Sequence, residues 1–396
     1  MTHSIYTVLQ LSAWFIALLW FWKAVTAAFG LRRVPNLIEP KYDLHPAGSP
    51  SLTVIVPARN ESEKVAACLQ SLLDQQYSNI QIIAVNDRST DSTGAIMDAL
   101  ALQHPDKLTF LHITELPARW LGKTHAMALA ANHAISVHHA DYLLFTDADI
   151  LFDPDAIRLA LAQAVVTQAD HYVILPTAII KSAGEGMLIS YLQIMGLWAV
   201  RTWRVSDPKA LRDAVGVGAF NLLRTPVYQQ LGGFEALRME IVEDLALGSR
   251  VKQHGLRQRI ATGPGLVRVH WHSGISGIIN GLMKNLFAIC RYNPAIVLLS
   301  CLSITAFCVA PTLFLTVSQT RTPAILTFAS IVFLYVLSSR QSRVSPLYAV
   351  LFPASAALIA YSILRSTITT LKHGGVTWRD TFYPLADLRK RTTTFH

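Results

Sequence analysis

The stretch SLTVIVPARNESEKVAACLQSLLDQQYSNIQIIAVND, residues 51–87, contains a strand, a helix and a second strand in succession. Leu52–Val56 is a short β-branched run that ends at Pro57, and Ile80–Val85 is a second such run. Between them Ser62 is a candidate N-cap for a helix, whose apolar residues share one face: Val65, Leu69, Leu72 and Leu73. This order predicts two parallel strands joined by a crossover helix.

The same alternation continues toward the C-terminus. Asp91 or Ser92 can cap a helix that runs through Leu102, and Leu108–His112 is a third strand. An Ala-rich helix, Lys123–Ser136, precedes a fourth strand, Tyr142–Phe145. The pattern predicts an α/β fold, with a mostly parallel sheet wound by helices on both faces and ligands bound at the carboxyl ends of the strands.

Polar clusters follow three of these strands: Arg59-Asn60-Glu61, Asn86-Asp87 and Asp147-Ala148-Asp149. Carboxylates spaced i, i+2 at a strand terminus point to the same side and can share one hard divalent cation, Mg²⁺ or Mn²⁺. A diphosphate leaving group needs such a cation, so nucleotide-sugar chemistry is the first hypothesis. The alternative is that aspartates after a strand serve only turns and helix caps.

The composition indicates a membrane protein. The chain has 396 residues, of which 52% are hydrophobic, and its mean hydropathy is +0.36. Ile5–Trp22 carries no charge, and Lys23, Arg32, Arg33 and Lys41 follow it, whereas a cleaved signal peptide would place its positive charge before the apolar run. The positive-inside bias predicts an outside N-terminus and a cytoplasmic domain, in a multi-pass protein of the inner (plasma) membrane.

Three further apolar runs lie near the C-terminus: Pro294–Val317, Pro323–Ser339 and Leu347–Leu364. Three full spans would put the tail outside, yet its basic residues favour the cytoplasm: Lys372, His373, Arg379, Arg389, Lys390 and Arg391. We therefore predict that the middle run is a partial or interfacial segment. The predicted segments are 1–30 (transmembrane helix), 31–50 (linker), 51–290 (α/β domain), 291–368 (two or three transmembrane helices) and 369–396 (basic tail).

The distribution of charge indicates the kind of binding partner, and the cysteines indicate the cellular compartment. The net charge is +9, but the basic residues flank apolar runs instead of forming one patch with interleaved aromatics, so anionic lipid headgroups are favoured over nucleic acid. The four cysteines contain no CxxC pair, which favours small buried thiols in a reducing compartment. His270 and His272 favour a phosphate or structural contact over a metal site.

A set of motifs carries a family resemblance. In addition to residues 51–87, it comprises the GK at Gly122 and Lys123, FTDADI, GVGAFNLLRTPVYQQLGGFE and the VED at Val242–Asp244. In order and spacing, from about residue 52 to 290, they resemble family 2 glycosyltransferases with the GT-A fold. With the flanking helices, the layout resembles the integral-membrane lipid enzymes of that family, notably hopene-associated bacterial ones and, more distantly, carotenoid and ceramide glycosyltransferases. GLMKN (281–285) and GGVTWRDTFYPL (374–385) also resemble motifs of the bacterial subgroup.

The resemblance implies inverting, metal-dependent transfer of a sugar from a nucleotide-diphosphate donor, commonly a UDP-sugar, to a membrane lipid. The implied metal ligands are Asp149 and Asp147, and the implied general base is Asp244, with Glu243 beside it. Donor-binding residues by this match are Pro57, Ala58, Asn60, Glu61, Asp87, Gly122, Lys123 and Asp147. Acceptor-side residues are Gly218, Ala219, Gly232, Gly233, Phe234, Lys284, Asn285, Trp378 and Arg379.

Several positions have a second interpretation. Taken alone, Lys123 is typical of a solvated residue at the start of a helix. Glu243 and Asp244 are typical of the acidic first turn of a helix, which here would run to Gln253. The stretch MLISYLQIMGLWAV, residues 187–200, is either a core helix or an interfacial helix that admits a lipid acceptor.

The function also has alternatives. The family's QxxRW motif of processive members is not found after Asp244, which favours transfer of a single sugar over polysaccharide synthesis. A nucleotidyltransferase would need a Gly-rich basic phosphate loop after the first strand, and PARNE is not one. A non-catalytic membrane protein that binds sugar nucleotides is the remaining alternative, and the intact Asp147, Asp149 and Asp244 argue against it.

Overall fold

Residues 2–379 and 381–390 are described by the structure, a computed structural model, so Arg391 of the predicted basic tail lies outside the described residues. The strands are β1 (Leu52–Ala58), β2 (Ile80–Asp87), β3 (Leu108–Ile113), β4 (Tyr142–Phe145), β5 (Ile150–Phe152), β6 (His171–Ile174), β7 (Thr177–Ala178), β8 (Asn221–Arg224), β9 (Gln258–Ala261), β10 (Val267–Val269), β11 (Gly375–Trp378) and β12 (Thr381–Pro384).

The α-helices are α1 (Thr2–Gly30), α2 (Val65–Leu73), α3 (Thr93–Gln103), α4 (Gly122–Ser136), α5 (Ala156–Val166), α6 (Ala183–Ala199), α7 (Thr225–Gln230), α8 (Glu243–Gln253), α9 (Gly274–Ile289), α10 (Pro294–Ile304), α11 (Ala310–Phe314), α12 (Arg321–Ser342), α13 (Phe352–His373) and α14 (Leu385–Leu388). A π-helical turn, Thr305–Val309, joins α10 to α11. Short 3-10 helices are Leu31–Arg33, Pro40–Tyr42, Thr202–Arg204, Leu211–Asp213, Gly233–Leu237 and Pro346–Leu351.

Seven strands form the main sheet in the order β3-β2-β1-β4-β8-β6-β9. Every neighbouring pair is parallel except the two that involve β8, which runs antiparallel to β4 and β6. The predicted mostly parallel sheet is therefore confirmed. The exception places the residues before β8 beside the residues after β4.

Helices cover both faces of this sheet, as predicted. Val54 and Val56 point to the face where Leu69 of α2 packs, and Ile55 between them points to the face of Ala130 in α4. All five side chains are completely buried. Because both faces of β1 are buried, its sequence does not alternate between apolar and polar residues.

Two local predictions in this region need correction. Pro57 does not end the strand but lies inside β1, where it is tolerated because the pairing of β1 with β4 ends at Ile55. Ser62 does not cap α2, which begins at Val65; its backbone N–H instead donates to Oδ2 of Asp91 at 3.2 Å.

The chain packs as two units. The α/β unit consists of Val34–Ile179, Arg204–Trp271 and the C-terminal residues from Ala386. The helical unit consists of the residues up to Arg33, Ile180–Trp203 and His272–Leu385. The helix α6, for which core and interfacial roles were both open, belongs to the helical unit. All four cysteines are buried and free of disulfides.

Among the residues that the structure describes, four helices are long and apolar enough to cross a membrane: Ser4–Arg33, Pro294–Phe314, Arg321–Ser342 and Pro346–His373. The third corresponds to the middle run that was predicted to be partial or interfacial. It is a helix of 22 residues with a mean hydropathy of 1.7, because it begins at Arg321 and continues past the apolar run to Ser342. By length and composition this helix is a candidate span like the other three, and its partial or interfacial character stays a prediction.

Candidate active site

Hydrogen bonds between backbone N–H groups and side-chain oxygens connect the loops that follow β1 and β2. The N–H of Asn60 donates to Oγ of Ser89 at 3.0 Å, and Oδ1 of Asn60 accepts from the N–H of Thr90 at 2.8 Å. The N–H of Glu61 donates to Oγ1 of Thr93 at 2.8 Å. Asn60 has a positive φ of 53°, a conformation that asparagine tolerates better than most residues. The predicted donor residues of the first loop are therefore held at the end of β2.

Asp87, the last residue of β2, lies against the start of α4. Its side chain is buried and pairs with Nε of Arg88 at 2.8 Å. A Cβ at Gly122 would overlap Oδ2 of Asp87, so the first residue of α4 has to be glycine for this approach. Asp87 and the GK pair, which were separately predicted to bind the donor, are therefore neighbours in the structure.

Asp147 and Asp149 lie in a turn after β4 and not on the strand itself. The i, i+2 argument for strands therefore does not apply, and each carboxylate has its own cationic neighbour. Oδ1 of Asp147 is 2.6 Å from Nζ of Lys123, and Oδ2 of Asp149 is 3.3 Å from Nζ of Lys64. The two lysines come from the first turn of α4 and from the residue before α2.

Lys123 connects the aspartate turn to the start of α8. Its Nζ is 2.5 Å from Oε1 of Glu243 as well as 2.6 Å from Asp147, and its side chain is only 11% exposed. The interpretation of Lys123 as a solvated helix start is wrong, because a buried ammonium group needs nearby carboxylates. Glu243 and Asp244 do occupy the first turn of α8, as expected.

Gly218 lies between the two acidic segments. Its backbone N–H donates to Oδ2 of Asp244 at 2.9 Å, and a Cβ at this position would lie 2.6 Å from Oδ2 of Asp147. The antiparallel pairing of Phe145 with Asn221 produces this contact, since it brings the residues before β8 to the end of β4. The hydroxyl of Thr146 donates to the carbonyl of Ala219 at 2.8 Å and closes the same junction.

A small pocket opens at this junction. Its polar lining consists of Lys123, Asp147, Glu243 and Asp244 together with Thr146 and Asn221. Its apolar lining includes Phe234, which packs edge to face on Phe145 with ring centroids 4.9 Å apart. Gly232 and Gly233, with φ of 76° and 53°, form the turn that directs Phe234 inward. These predicted acceptor-side residues thus lie in the α/β unit, beside the pocket or in its wall.

The electrostatics of the pocket favour a proton acceptor. Burial and the neighbouring carboxylate of Glu243 raise the pKa of Asp244 to about 6, and Lys123 opposes the rise. Burial would lower the pKa of Lys123, but the carboxylates of Asp147, Glu243 and Asp244 raise it. Burial and Asp147 also raise the pKa of Asp149, against the effect of Lys64.

The residues present fit a divalent cation that is completed by its substrate. In residues 2–379 and 381–390, no group of three or more His, Cys, Asp or Glu side chains is arranged to hold a metal by itself. Two neighbouring carboxylates are nevertheless enough for Mg²⁺ or Mn²⁺ when substrate phosphates supply the remaining oxygens. The raised pKa of Asp149 indicates a carboxylate that would be stabilised by added positive charge.

The other predicted acceptor-side residues belong to the helical unit. Lys284 and Asn285 lie on α9, and Trp378 ends β11. Nζ of Lys284 is 3.9 Å from the ring centroid of Trp378, and Cζ of Arg379 is 5.7 Å from it. The motifs GLMKN and GGVTWRD, nearly a hundred residues apart, therefore meet in one basic and aromatic cluster.

Sequence reasoning missed Lys64. Its Nζ contacts Asp149 and lies 3.5 Å from the carbonyl of His270. Lys64 stands three residues after Glu61 in the NESEK segment, but nothing in that segment indicates an aspartate far along the chain. The contact depends on the adjacency of β1 and β4, which only the sheet order shows.

Comparison with known proteins agrees with this geometry. Residues 53–230 match the family model described as glycosyl transferase family 2. Over this range, which is less than half of the chain, the protein is similar to glycosyltransferase family 2. The matched range contains the aspartate turn and Gly218, and it ends shortly before Asp244.

Curated relatives of this chain include the 4,4'-diaponeurosporenoate glycosyltransferases of Staphylococcus aureus, for example from strains RF122 and MRSA252. Each is 26% identical over 241 residues, which is 60% of this chain and 60% of the relative. Among solved structures, a mannosyltransferase from Pyrobaculum calidifontis, in complex with GDP-Man and Mn²⁺, aligns with a TM-score of 0.55 and 18% identity, over 93% of this chain and 98% of that one. The expected GT-A fold is thereby confirmed.

Proposed function

We propose that this glycosyltransferase moves one sugar, with inversion, from a nucleotide-diphosphate sugar to a membrane lipid. One observation carries the proposal. The N–H of Gly218 donates to Oδ2 of Asp244, and a Cβ on the same residue would overlap Oδ2 of Asp147, so a group suited to a diphosphate and a group suited to an acceptor hydroxyl both lie beside this one residue. Direct displacement at a sugar carbon needs both groups close to the reacting carbon.

On the donor side, Asp147 and Asp149 would hold Mg²⁺ or Mn²⁺, which neutralises charge that develops on the leaving diphosphate. Lys123 adds a fixed positive charge beside Asp147, and its burial keeps that charge effective. Asp87, Asn60 and Glu61 are placed at the ends of β1 and β2, where hydrogen-bond acceptors suit the base and ribose. UDP is the first nucleotide to test, and the GDP-Man bound to the mannosyltransferase structure makes GDP the second.

On the acceptor side, Asp244 would act as the general base. The acceptor hydroxyl oxygen forms a bond to the anomeric carbon as the bond from that carbon to the phosphate oxygen breaks. The hydroxyl proton passes to the carboxylate of Asp244, and the nucleoside diphosphate leaves with the bonding electrons. A base with a pKa of about 6 is deprotonated at neutral pH and still basic enough to accept the proton.

The lipid acceptor is supported by two observations. Four helices of this chain are long and apolar enough to cross a membrane. The curated relatives are named for the glycosylation of 4,4'-diaponeurosporenoate, and hopanoid, carotenoid and glycolipid acceptors are all within this proposal. The positive-inside bias favours a cytoplasmic catalytic domain in the plasma membrane.

Radiolabelled sugar transfer tests the proposal. Membranes that contain the protein are incubated with a panel of labelled UDP- and GDP-sugars, with and without a chelator, and the organic extract is analysed by mass spectrometry. We expect one labelled lipid of defined mass that carries a single sugar and disappears with the chelator. Asp149→Asn should abolish the product, whereas Asp106→Asn, at an exposed position outside the site, should not.

The outcomes separate the alternatives. Label in a large polysaccharide would replace the lipid acceptor with a growing chain. Donor binding without transfer to any lipid would support a sugar-nucleotide-binding protein. Unchanged product formation in the presence of chelator would refute the metal requirement.

A further inference from the structure

The arrangement of helices within the helical unit bears on how the chain crosses the membrane. α1 and α12 run in the same direction. The ring of Phe352 contacts the rings of both Trp20 and Tyr335, with centroids 5.5 and 6.2 Å apart. Further along both helices, Nε2 of Gln341 donates to the carbonyl of Leu31 at 3.5 Å. Both helices therefore end at one level, which carries Arg32, Arg33, Arg340 and Arg343.

The segment α10–α11 runs in the opposite direction. The indole N–H of Trp20 donates to the carbonyl of Phe307 at 3.0 Å, and the hydroxyl of Thr320 donates to the carbonyl of Phe314 at 2.8 Å. The second contact closes a short turn between α11 and α12. α12 has 22 residues and is about 33 Å long. The turn at its start therefore lies far from the basic level at which α1 and α12 end.

α13 begins closer to the basic level than the turn before α12 does. Phe352, its first residue, packs on Tyr335, which precedes Gln341 by only six residues, or about 9 Å of helix. Counted along α1, Trp20 precedes Leu31 by eleven residues, or about 16 Å. The hydrocarbon core of a bilayer is about 30 Å thick, so by these two counts the start of α13 lies no deeper than about the middle of the core, measured from the basic level.

From there α13 runs back toward the start of α10. Sγ of Cys301 lies 3.8 Å from the carbonyl of Ala360, and the hydroxyl of Ser366 contacts the N–H of Phe287 at 3.2 Å. α13 therefore runs antiparallel to α9–α10. The hairpin that follows α13 places Trp378 on Lys284 of α9.

We infer that α13 does not cross the membrane but stays in the leaflet on the side where α1 and α12 end: it starts inside the core and ends on that side. Its outward face fits the cytoplasmic leaflet with anionic headgroups. Tyr361, Leu364 and Ile368 are 54%, 44% and 64% exposed and suit acyl chains. Arg365 and Lys372 are exposed beside them and suit phosphate groups. The packed face contains several hydroxyl side chains among its apolar residues, namely Ser355, Ser362, Ser366, Thr367 and Thr370.

This placement removes the conflict between an odd number of C-terminal spans and a basic tail. α10–α11 leads outward and α12 leads back, so the tail lies on the side where α1 ends. The element that does not span is the third apolar run, and not the middle one.

Cysteine accessibility in the full-length protein tests the inference. The four natural cysteines are buried and give a low background. Gln76→Cys marks the α/β unit, Gln319→Cys marks the turn before α12, and His373→Cys marks the end of α13; all three positions are exposed. Intact spheroplasts and inverted vesicles are treated with a membrane-impermeant maleimide. Each variant is first shown to react in detergent.

We expect Gln319→Cys to react only in spheroplasts, and Gln76→Cys and His373→Cys only in inverted vesicles, each with at least a ten-fold preference. Reaction of His373→Cys from the same side as Gln319→Cys would show that α13 spans, and would overturn the inference. Reaction of all three from one side would show that α12 does not cross, which overturns it as well. The readout does not depend on sugar transfer, so it is independent of the proposed function.

Discussion

The backbone N–H of Gly218 donates to Oδ2 of Asp244 at 2.9 Å, while the Cα of the same glycine faces Oδ2 of Asp147. One residue without a side chain therefore sets the separation between the aspartate turn and the first turn of α8. A third segment, the start of α4, meets them through Lys123. The spacing of the proposed donor and acceptor groups depends on backbone contact and not on flexible side chains.

Gly218→Ala should inactivate the enzyme without unfolding it. The added methyl group would lie 2.6 Å from Oδ2 of Asp147, so the Asp147 carboxylate must move, whereas its 3.5 Å distance to Nζ of Lys123 is an ordinary contact. A displacement of about 1 Å in a reacting site costs on the order of a hundred-fold in rate. Gly196→Ala is the matched control, because its methyl group would meet open space. Equal kcat/KM for the two variants would contradict the role of this contact.

Asp244→Asn should lower kcat by about 10²- to 10⁴-fold, the usual contribution of a positioned base. In the wild type, kcat/KM should fall as the pH drops below about 6, since the carboxylate is then protonated. Initial rates measured between pH 5 and 8 check this. A wild-type profile that is flat down to pH 5 would exclude a base with the pKa of Asp244.

The same substitution should stabilise the fold at high pH. The pKa of Asp244 is raised to about 6, so its favourable contribution to folding is complete below the ordinary carboxylate pKa and is lost as the pH rises through 6. Asn carries no charge at any pH. The variant should therefore gain on the order of 2–3 kcal/mol over the wild type at pH 8 and lose this gain toward pH 4. Thermal unfolding in detergent at both pH values measures the difference.

Lys64→Ala should strengthen metal binding in the absence of donor. Nζ of Lys64 contacts Oδ2 of Asp149 at 3.3 Å and competes with a cation for that carboxylate. The side chain of Lys64 is 37% exposed, so solvent weakens the competition and the gain should be about 2- to 5-fold. Mn²⁺ titration followed by electron paramagnetic resonance gives the affinity. Lys209→Ala, at an exposed position, is the control, and equal or weaker binding by Lys64→Ala would contradict the prediction.

Phe352→Ala should destabilise the helical unit. The ring is completely buried and contacts the rings of Trp20, Tyr191 and Tyr335. Removing it leaves a cavity among helices that lipid cannot fill, at a cost of about 2 kcal/mol or more. Thermal stability in detergent, followed by size-exclusion chromatography, should fall for Phe352→Ala and stay unchanged for Phe21→Ala, whose ring is 48% exposed. Equal midpoints would show that this cluster does not hold the helices together.

Much of the fold and part of the site could be predicted from local sequence. The β-branched runs at Leu52 and Ile80 and the helices between them have clear periodicity, and strand ends mark Asp87 and Asp147 as ligand positions. The four apolar segments are equally local features, because apolar length alone decides whether a helix can cross a membrane. A metal-binding role for Asp147 and Asp149 could also be proposed from the sequence. Their geometry could not, since they lie in a turn and not at the expected end of a strand.

The sequence by itself determined the α/β order, the membrane segments and the succession Asp87, Asp147 and Asp244, because each of these is set by residues close together in the chain. Only the tertiary structure decided that Lys64 meets Asp149, that Gly218 separates Asp147 from Asp244 and that α13 turns back within one leaflet. The first two depend on which strands are neighbours in the sheet, above all on the antiparallel insertion of β8 beside β4. The third depends on aromatic packing around Phe352. Hydropathy counts apolar residues and carries no information about such contacts.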